Sequence, residues 1–220
     1  MERKYEAEIM DDFSIRDERI DDALRELKMI NIVLGGKETT RDGFRSLRKK
    51  KSLPDRLTVL DVGAGGADVF DDRNGFYSVT ALDKNPRTCL YLKNNSHHQV
   101  ICGDALEMPF QERSFDVIHV SLFLHHFTED QIVRLLLSFS TVARHGVIIN
   151  DLRRSMPAMV GIKILTSLFS RSEMVKHDGP LSVQRGFIKR DLLQILDKCA
   201  FNHFTIKRKW AFRWLVVIEI

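Results

Sequence analysis

Between Leu57 and Asp151 the chain alternates apolar runs of strand length with polar or helical stretches. Leu57 to Val62, Ser78 to Leu82, Val100 to Cys102, Phe115 to Ser121 and Gly146 to Asn150 each read as a strand. Between the last two, Glu129 to Val142 sets Ile132, Leu135, Leu136 and Phe139 on one helical face. Such alternation predicts a parallel sheet covered by helices, with a ligand at the carboxyl ends of the strands.

The flanks read differently. Within residues 1–34, Ile20, Leu24, Leu27, Ile30 and Leu34 recur at helical spacing, which predicts an amphipathic helix laid on something larger and ended by Gly35-Gly36. Arg41 to Arg56 follows as a basic connector, with Arg45, Arg48, Lys49, Lys50 and Lys51 close together. It reads either as a solvated face or as a contact for phosphates or an anionic surface. After Asp151 an apolar, helix-like insertion carries Met156, Met159, Val160, Ile162, Ile164, Leu165, Leu168 and Phe169, and a polar stretch runs through Gly179-Pro180. Lys189 to Ala200 is a second amphipathic helix. His203 to Lys209 and Phe212 to Ile220, joined near Trp210-Ala211, predict an antiparallel hairpin at the sheet edge. The resulting fold class is α/β, a Rossmann-like three-layer sandwich with a mostly parallel seven-stranded sheet ending in that hairpin. Residues 1–56 form a helical cap and basic connector, and 57–220 the main domain, with the apolar helical insertion at about 152–185 as a lid.

At 220 residues the chain fits one domain. Lys+Arg 34 against Asp+Glu 30 leaves a formal net charge of +4, too mild to call for nucleic acid. Cys89, Cys102 and Cys199 match neither a metal pair nor a disulfide framework and read as reduced thiols. The charged N-terminus does not suit a signal peptide, and no apolar run reaches membrane-spanning length, so a cytoplasmic protein is expected.

Candidate chemistry centres on Val59-Leu60-Asp61-Val62-Gly63-Ala64-Gly65-Gly66-Ala67-Asp68, an apolar strand running into a glycine-rich turn opened by an acid. A turn of this kind, followed by a helix, brings bare backbone N–H groups and a helix N-terminus to the sheet's carboxyl edge. A dinucleotide fingerprint starting at Gly63 would need glycine where Asp68 stands, and a P-loop would need Gly-Lys-Ser/Thr after the turn, where Ala67-Asp68-Val69 is found.

An acid with glycines two and four residues later resembles the first motif of the class I S-adenosylmethionine-dependent methyltransferases. Asp61, Gly63 and Gly65 match it, and Ala67 replaces the last glycine, with Gly66 adjacent. The resemblance implies that the turn, with Ala64, lies against the methionine part of S-adenosylmethionine, and that Asp61 organises the site near its amino group. Asp83, with Lys84 beside it, ends the second strand where the family's ribose-binding acid stands. A carboxylate there also suits NAD. Asp104 resembles the acid that contacts the adenine amino group, with Ala105 or Leu106 against the ring, and Ser121 ends the fourth strand at the cofactor's edge. These residues make S-adenosylmethionine the expected cofactor and S-adenosylhomocysteine the product.

Methyl transfer is an in-line displacement at a sulfonium, so the protein must align a nucleophile and exclude water. The fourth strand runs into Leu122-Phe123-Leu124-His125-His126-Phe127, without the Asn/Asp-Pro-Pro-Tyr/Phe usual in methyltransferases of nucleic-acid bases. His125 and His126 resemble the Leu-His-His end of small-molecule methyltransferases, including the quinone-biosynthesis group. They read either as catalytic bases or as residues that cap the strand. Arg153, Arg154 and Met156 lead into the insertion and are candidates for holding an acidic or phenolate acceptor, with a methionine as a pliable wall. Arg185 reads as a substrate anchor or a surface ion-pair partner. No ligand spacing calls for a metal. The expected reaction moves a methyl group to an oxygen, or less often a carbon, of an apolar small molecule such as a phenolic, polyketide or quinone precursor, in a chain able to form a homodimer. The rivals are an NAD-dependent oxidoreductase and a non-catalytic or RNA-contacting protein on the same fold.

Overall fold

The computed structural model describes residues 1–67, 69, 70 and 75–220. Strands β1 (Leu57–Val62), β2 (Tyr77–Asp83), β3 (Gln99–Cys102), β4 (Phe115–Ser121) and β5 (Ala143–Leu152) pair in parallel. The hairpin β6 (Phe204–Lys209) and β7 (Arg213–Glu219) adds antiparallel beside β5. The strand order is β3-β2-β1-β4-β5-β7-β6, and the sheet is seven-stranded, mostly parallel and ended by an antiparallel hairpin, as the sequence pattern implied. Chain direction away from β1 reverses between β1 and β4, so the crevice of the doubly wound fold opens at their carboxyl ends.

Alternate residues of each strand serve the two faces. Leu60, Val62, Ile118, Val120, Ile149 and Val216 pack against Ile132, Leu135, Leu136 and Phe139 of α4 (Glu129–Val142) and Leu192, Ile195 and Leu196 of α7 (Lys189–Lys198). Burial of each such side chain contributes roughly 1.5–3 kcal/mol. Thr128 and Gln131 form a capping box that starts α4 at the end of the short turn after β4.

The other face holds the main departures from the sequence reading. The basic stretch expected to be a connector is largely a helix, α2 (Gly36–Arg48), which buries Thr39, Thr40, Gly43, Phe44 and Leu47. Phe44 and Leu47 pack on Leu57, Val59, Val117, Ile148, Leu215 and Val217. Its inward face holds only two large apolar residues, and glycine and threonines supply the rest, so hydrophobic periodicity missed it. The helix expected straight after the glycine turn is absent among the described residues, which run from Ala64 through Ala67 and then Val69 and Phe70 without helical structure. Val69 and Phe70 instead fill the same apolar cluster as Phe44, and Asp68 lies outside the described residues.

The N-terminal amphipathic helix is α1 (Glu18–Val33), capped by Asp17 and joined to α2 through Gly35 at φ +72°. Ile20, Ala23 and Leu24 pack against Met174 and Val175 of α6 (Glu173–Arg185). The apolar insertion forms α5 (Met156–Phe169), which pairs with α6 beyond the carboxyl edge of the sheet, while α3 (Pro86–Asn95) covers β2 and β3. No helix among the described residues is long and apolar enough to cross a membrane.

Candidate active site

A cavity of about 810 Å³ lies over the carboxyl ends of β1, β2 and β4, a size at the upper end of the roughly 300–1,000 Å³ of small-molecule sites. Asp61, Gly63, Ala64, Gly65, Asp83, Lys84, Asp104, Ala105, Ser121, His125 and His126 all line it. Leu27 and Ile30 of α1, Leu34 just past its end, and Ile162 and Leu165 of α5 complete an apolar wall, so the helical periodicity seen in the first 34 residues serves core at one end and cavity at the other.

Strand β1 ends in a turn whose N–H groups are already engaged. Gly63 and Ala64 donate to Leu82 O at 2.9 and 3.2 Å, and Gly65 donates to Asp83 Oδ2 at 3.0 Å. The amides of these three residues are therefore not bare, in contrast to the sequence reading. Gly63 sits at φ +63°, and a Cβ there would stand 2.1 Å from the Phe123 ring, so its close approach is to protein. Gly65, at φ +52°, faces open space among the described residues, of which only Leu24 Cδ2 comes within range, at 3.8 Å of a Cβ placed there. The turn leaves an open cradle at that position.

Three carboxylates surround this cradle. Asp83 accepts from Gly65 and from Asn85 N–H at 2.9 Å, leaving further lone pairs on both oxygens. Burial raises its pKa to about 6, the two N–H bonds only partly opposing it. Asp104 caps a short 3-10 turn through Leu106 N–H at 2.9 Å and meets Lys84 Nζ at 2.7 Å. Burial raises its pKa, but the Lys84 ammonium outweighs that and holds it below the usual range. Asp61 is buried, and its Oδ1 lies 2.6 Å from His119 Nδ1. The Ser121 hydroxyl is buried without a hydrogen-bond partner among the described residues. An open cradle, an unpaired hydroxyl and carboxylates with free lone pairs suit a ligand rich in hydroxyl and amine donors, and S-adenosylmethionine fits that description.

At the far end, His125 and His126 sit on a 3-10 turn (Leu124–His126) with ring centroids 4.2 Å apart. His125 is buried, its Nδ1 2.7 Å from Asp151 Oδ1 and its Nε2 3.6 Å from Glu8 Oε1. Burial disfavours its charge, yet Asp151 and Glu8 outweigh this and push its pKa up to about 9. His126 is more open, with Nδ1 2.7 Å from Asp11 Oδ1. Glu8 and Asp11 also line the cavity, and sequence reasoning missed them. They belong to an N-terminal strap with no periodicity of its own, folded over the cavity by Arg3, which donates to Arg185 O at 2.8 Å and Phe127 O at 3.0 Å.

Arg185 was read as a surface ion-pair partner or a substrate anchor, and the structure buries it. It donates to His125 O, His126 O and Glu6 O at 3.2, 2.7 and 2.8 Å and meets Asp11 Oδ2 at 2.7 Å, bracing both histidines and the strap. Arg153, Arg154 and Met156 are not among the residues lining the cavity. Arg153 lies over the Phe212 ring at 5.2 Å, and Met156 is 54% exposed. Arg154 donates to Gly186 O at 2.8 Å and Met1 O at 3.1 Å and pairs with Asp191 at 3.1 Å. Each arginine already has a protein partner, which a bare sequence position does not reveal.

Residues 60–149 match the protein family described as "Methyltransferase domain". A demethylmenaquinone methyltransferase of Bacillus licheniformis is 28% identical over 128 residues, 54% of either chain, so the matched region spans about half the length of that curated relative. A SAM-dependent methyltransferase structure from Methanosarcina mazei superposes with a TM-score of 0.55 at 15% identity, covering 76% of this chain and 93% of that one. Magnesium protoporphyrin IX methyltransferase from Synechocystis, crystallised with bound SAM, gives a TM-score of 0.56 at 12% identity, covering 87% and 83%. At these identities the structural likeness is one of fold.

Proposed function

We propose, from the premise that residues 60–149 form a class I S-adenosylmethionine-dependent methyltransferase domain, that the protein methylates an oxygen of an apolar small molecule. The observation that carries the acceptor reading is the apolar wall of Leu27, Ile30, Leu34, Ile162 and Leu165, which shares one cavity with His126 and the carboxylates. A polar acceptor would lose its hydration against that wall, and an apolar one gains by burial. A phenolic, polyketide or quinone precursor has the matching chemistry.

Asp83 would hold the ribose hydroxyls, Asp104 the adenine amino group beside Ala105 and Leu106, and Asp61, Gly63, Ala64, Gly65 and Ser121 the methionine end. When bound, S-adenosylmethionine supplies an electrophilic methyl group. The chain's own contribution is positioning and the exclusion of water by α1, α5 and the strap over the hollow. His126 would take the acceptor's proton at Nε2, with Asp11 beside Nδ1 to hold the resulting charge. His125, held as a cation between Asp151 and Glu8, fixes the turn that carries it.

Thermal denaturation with added ligand tests the cofactor. S-adenosylhomocysteine should raise the melting temperature and NAD(H) should not. Stabilisation by NAD(H) instead would replace this reading with an oxidoreductase. Incubation with S-adenosylmethionine and a set of alkylated phenols should then give methyl ethers by mass spectrometry, and transfer to a polar acceptor alone would overturn the acceptor class. The RNA-contacting rival has little support. Arg45 pairs with Glu38 and Asp42, Lys50 with Glu219, and Lys51 donates to Ile220 O, so much of the basic stretch is neutralised by the protein itself.

A further inference from the structure

We propose that Glu8, His125 and His126 form a binding site for a divalent transition-metal ion at the acceptor end of the cavity. Their ligand atoms, Glu8 Oε1, His125 Nε2 and His126 Nδ1, all lie within 4.8 Å of one another. The carboxylate oxygen is 3.6 Å from the first nitrogen and 3.9 Å from the second. Metal–nitrogen and metal–oxygen bonds of about 2.0–2.2 Å in a tetrahedral site put donor atoms roughly 3.3 Å apart, so small side-chain shifts close the triad on an ion.

The independent observation is Glu8 itself. Its side chain is 5% exposed, and Oε1 accepts no hydrogen bond although it faces both imidazoles and lines the cavity. A buried carboxylate oxygen whose charged neighbours stand off at 3.6–3.9 Å, with no hydrogen bond of normal length among the described residues, is uncommon in folded proteins. The surrounding groups suit an ion there. Asp151 Oδ1, 2.7 Å from His125 Nδ1, fixes that ring with Nε2 turned toward Glu8, the carboxylate–histidine support typical of metal-bound imidazole. Asp11 Oδ1, 2.7 Å from His126 Nδ1, is the nearest further donor.

Charge points the same way. Glu8, Asp11 and Asp151 bring three carboxylates to this pocket, where Arg185 stands 3.7 Å from Glu8 and 2.7 Å from Asp11 and Arg3 donates to His125 O at 3.4 Å. One divalent cation that displaces the His125 proton adds positive charge to a pocket rich in carboxylates. Two imidazoles and a carboxylate select zinc, cobalt, nickel or iron over magnesium or calcium, which prefer oxygen alone. A three-residue donor set also leaves a coordination position, and the cavity supplies room for it. No motif announces the site, because Glu8 is remote in sequence and adjacent histidines offer one face only when a tight turn stacks their rings.

The inference rests on this cluster and not on the identity of the acceptor, and an ion on His126 Nδ1 leaves the proton on Nε2, so metal binding and the base role proposed for His126 are alternative states of that ring. Calorimetric titration of the chelator-treated full chain with ZnCl₂ tests it, with CoCl₂ absorption as a second readout. The expected result is a single equivalent of tightly bound Zn²⁺, a visible Co²⁺ band of tetrahedral type, and no heat with MgCl₂. Glu8→Gln and His126→Gln should each weaken Zn²⁺ binding by 10-fold or more, on the order of the effects seen for groups that support a metal. Their unchanged affinity for S-adenosylhomocysteine would establish that the variants are folded. Absence of Zn²⁺ binding, or equal affinity in the wild type and both variants, would overturn the site. Neither result bears on the methyltransferase reading, which fails separately if the wild type does not bind S-adenosylhomocysteine.

Discussion

Asp61 and His119 are register partners on β1 and β4, and their side chains meet on the α2 face of the sheet with Oδ1 2.6 Å from Nδ1. His119 Nε2 lies 2.9 Å from Thr40 Oγ1, and Asn150 Nδ2 donates to that hydroxyl at 3.1 Å and to Gly36 O at 2.9 Å. Arg213 continues the row, donating to Asn150 Oδ1 at 3.1 Å and Asn31 Oδ1 at 2.7 Å. With His119 donating from Nδ1 and accepting at Nε2, each of these contacts is satisfied. The acid that opens the glycine turn is thus held by a buried polar chain crossing four strands. His119→Ala should destabilise the fold by on the order of 3 kcal/mol, because Asp61 and Thr40 both lose a buried partner. Urea unfolding measures this, with exposed His97→Ala expected within about 0.5 kcal/mol of wild type. Equal effects would mean that water replaces the imidazole.

Asp83→Ala should weaken S-adenosylhomocysteine binding by about 100-fold, since hydrogen bonds to a carboxylate contribute about 1.5–3 kcal/mol each and the ribose would lose its acceptor. The pH dependence has a definite sign. Burial lifts the Asp83 pKa from its ordinary value to about 6, with the nearby Asp61 adding to the rise and the Gly65 and Asn85 amides and His126 opposing it. Above that value the carboxylate accepts from hydroxyls, and below it the carboxyl group carries a proton. Calorimetric affinity should therefore decline as pH falls through about 6. A flat profile from pH 5 to 8 would remove Asp83 from the ribose position.

The two histidines should separate by readout. His126→Ala is expected to lower kcat by roughly 100-fold or more while leaving S-adenosylhomocysteine affinity nearly unchanged, the pattern of a lost general base. His125→Ala leaves Asp151 buried opposite an empty site, and breaking a buried pair of this kind costs about 3–5 kcal/mol. Its signature is a lowered melting temperature. Turnover equal to wild type in His126→Ala would retire that residue as the base.

The seven-stranded, mostly parallel sheet, the carboxyl-edge cavity and the placement of Asp61, Asp83 and Asp104 around it follow from local signals that a sequence displays. These are apolar runs of strand length, a glycine turn and acids at strand ends. What escaped was set by distant chain. The strap bearing Glu8 and Asp11 is ordered by Arg3 and Arg185, and no local pattern encodes that pairing. The packing of Phe123 against Gly63 also escaped, because that neighbour is visible only after β4 is placed. Arg153 and Arg154 look like free cations until the ring of Phe212 and the carboxylate of Asp191 are brought beside them.

Helix α2 was hidden for a physical reason that can be tested. Its inward face uses Gly43 to bring the helix backbone close to the sheet, and a Cβ at that position would lie 2.5 Å from Ile148 Cγ2 and 3.2 Å from Leu215 Cδ1. Helix propensity alone favours Gly43→Ala by about 1 kcal/mol. Forcing a methyl into a packed interface costs about 1–3 kcal/mol, and β5 and β7 can yield little because both are buried on this face. The clash should win, so Gly43→Ala should lower stability by about 1 kcal/mol in urea unfolding, with exposed Arg41→Ala nearly silent. Because α2 also carries Thr40 and the Gly36 carbonyl into the row that holds Asp61, the same variant should weaken S-adenosylhomocysteine binding although residue 43 does not line the cavity. A gain in stability equal to the propensity increment, with affinity unchanged, would show that α2 does not seat against the sheet in this way.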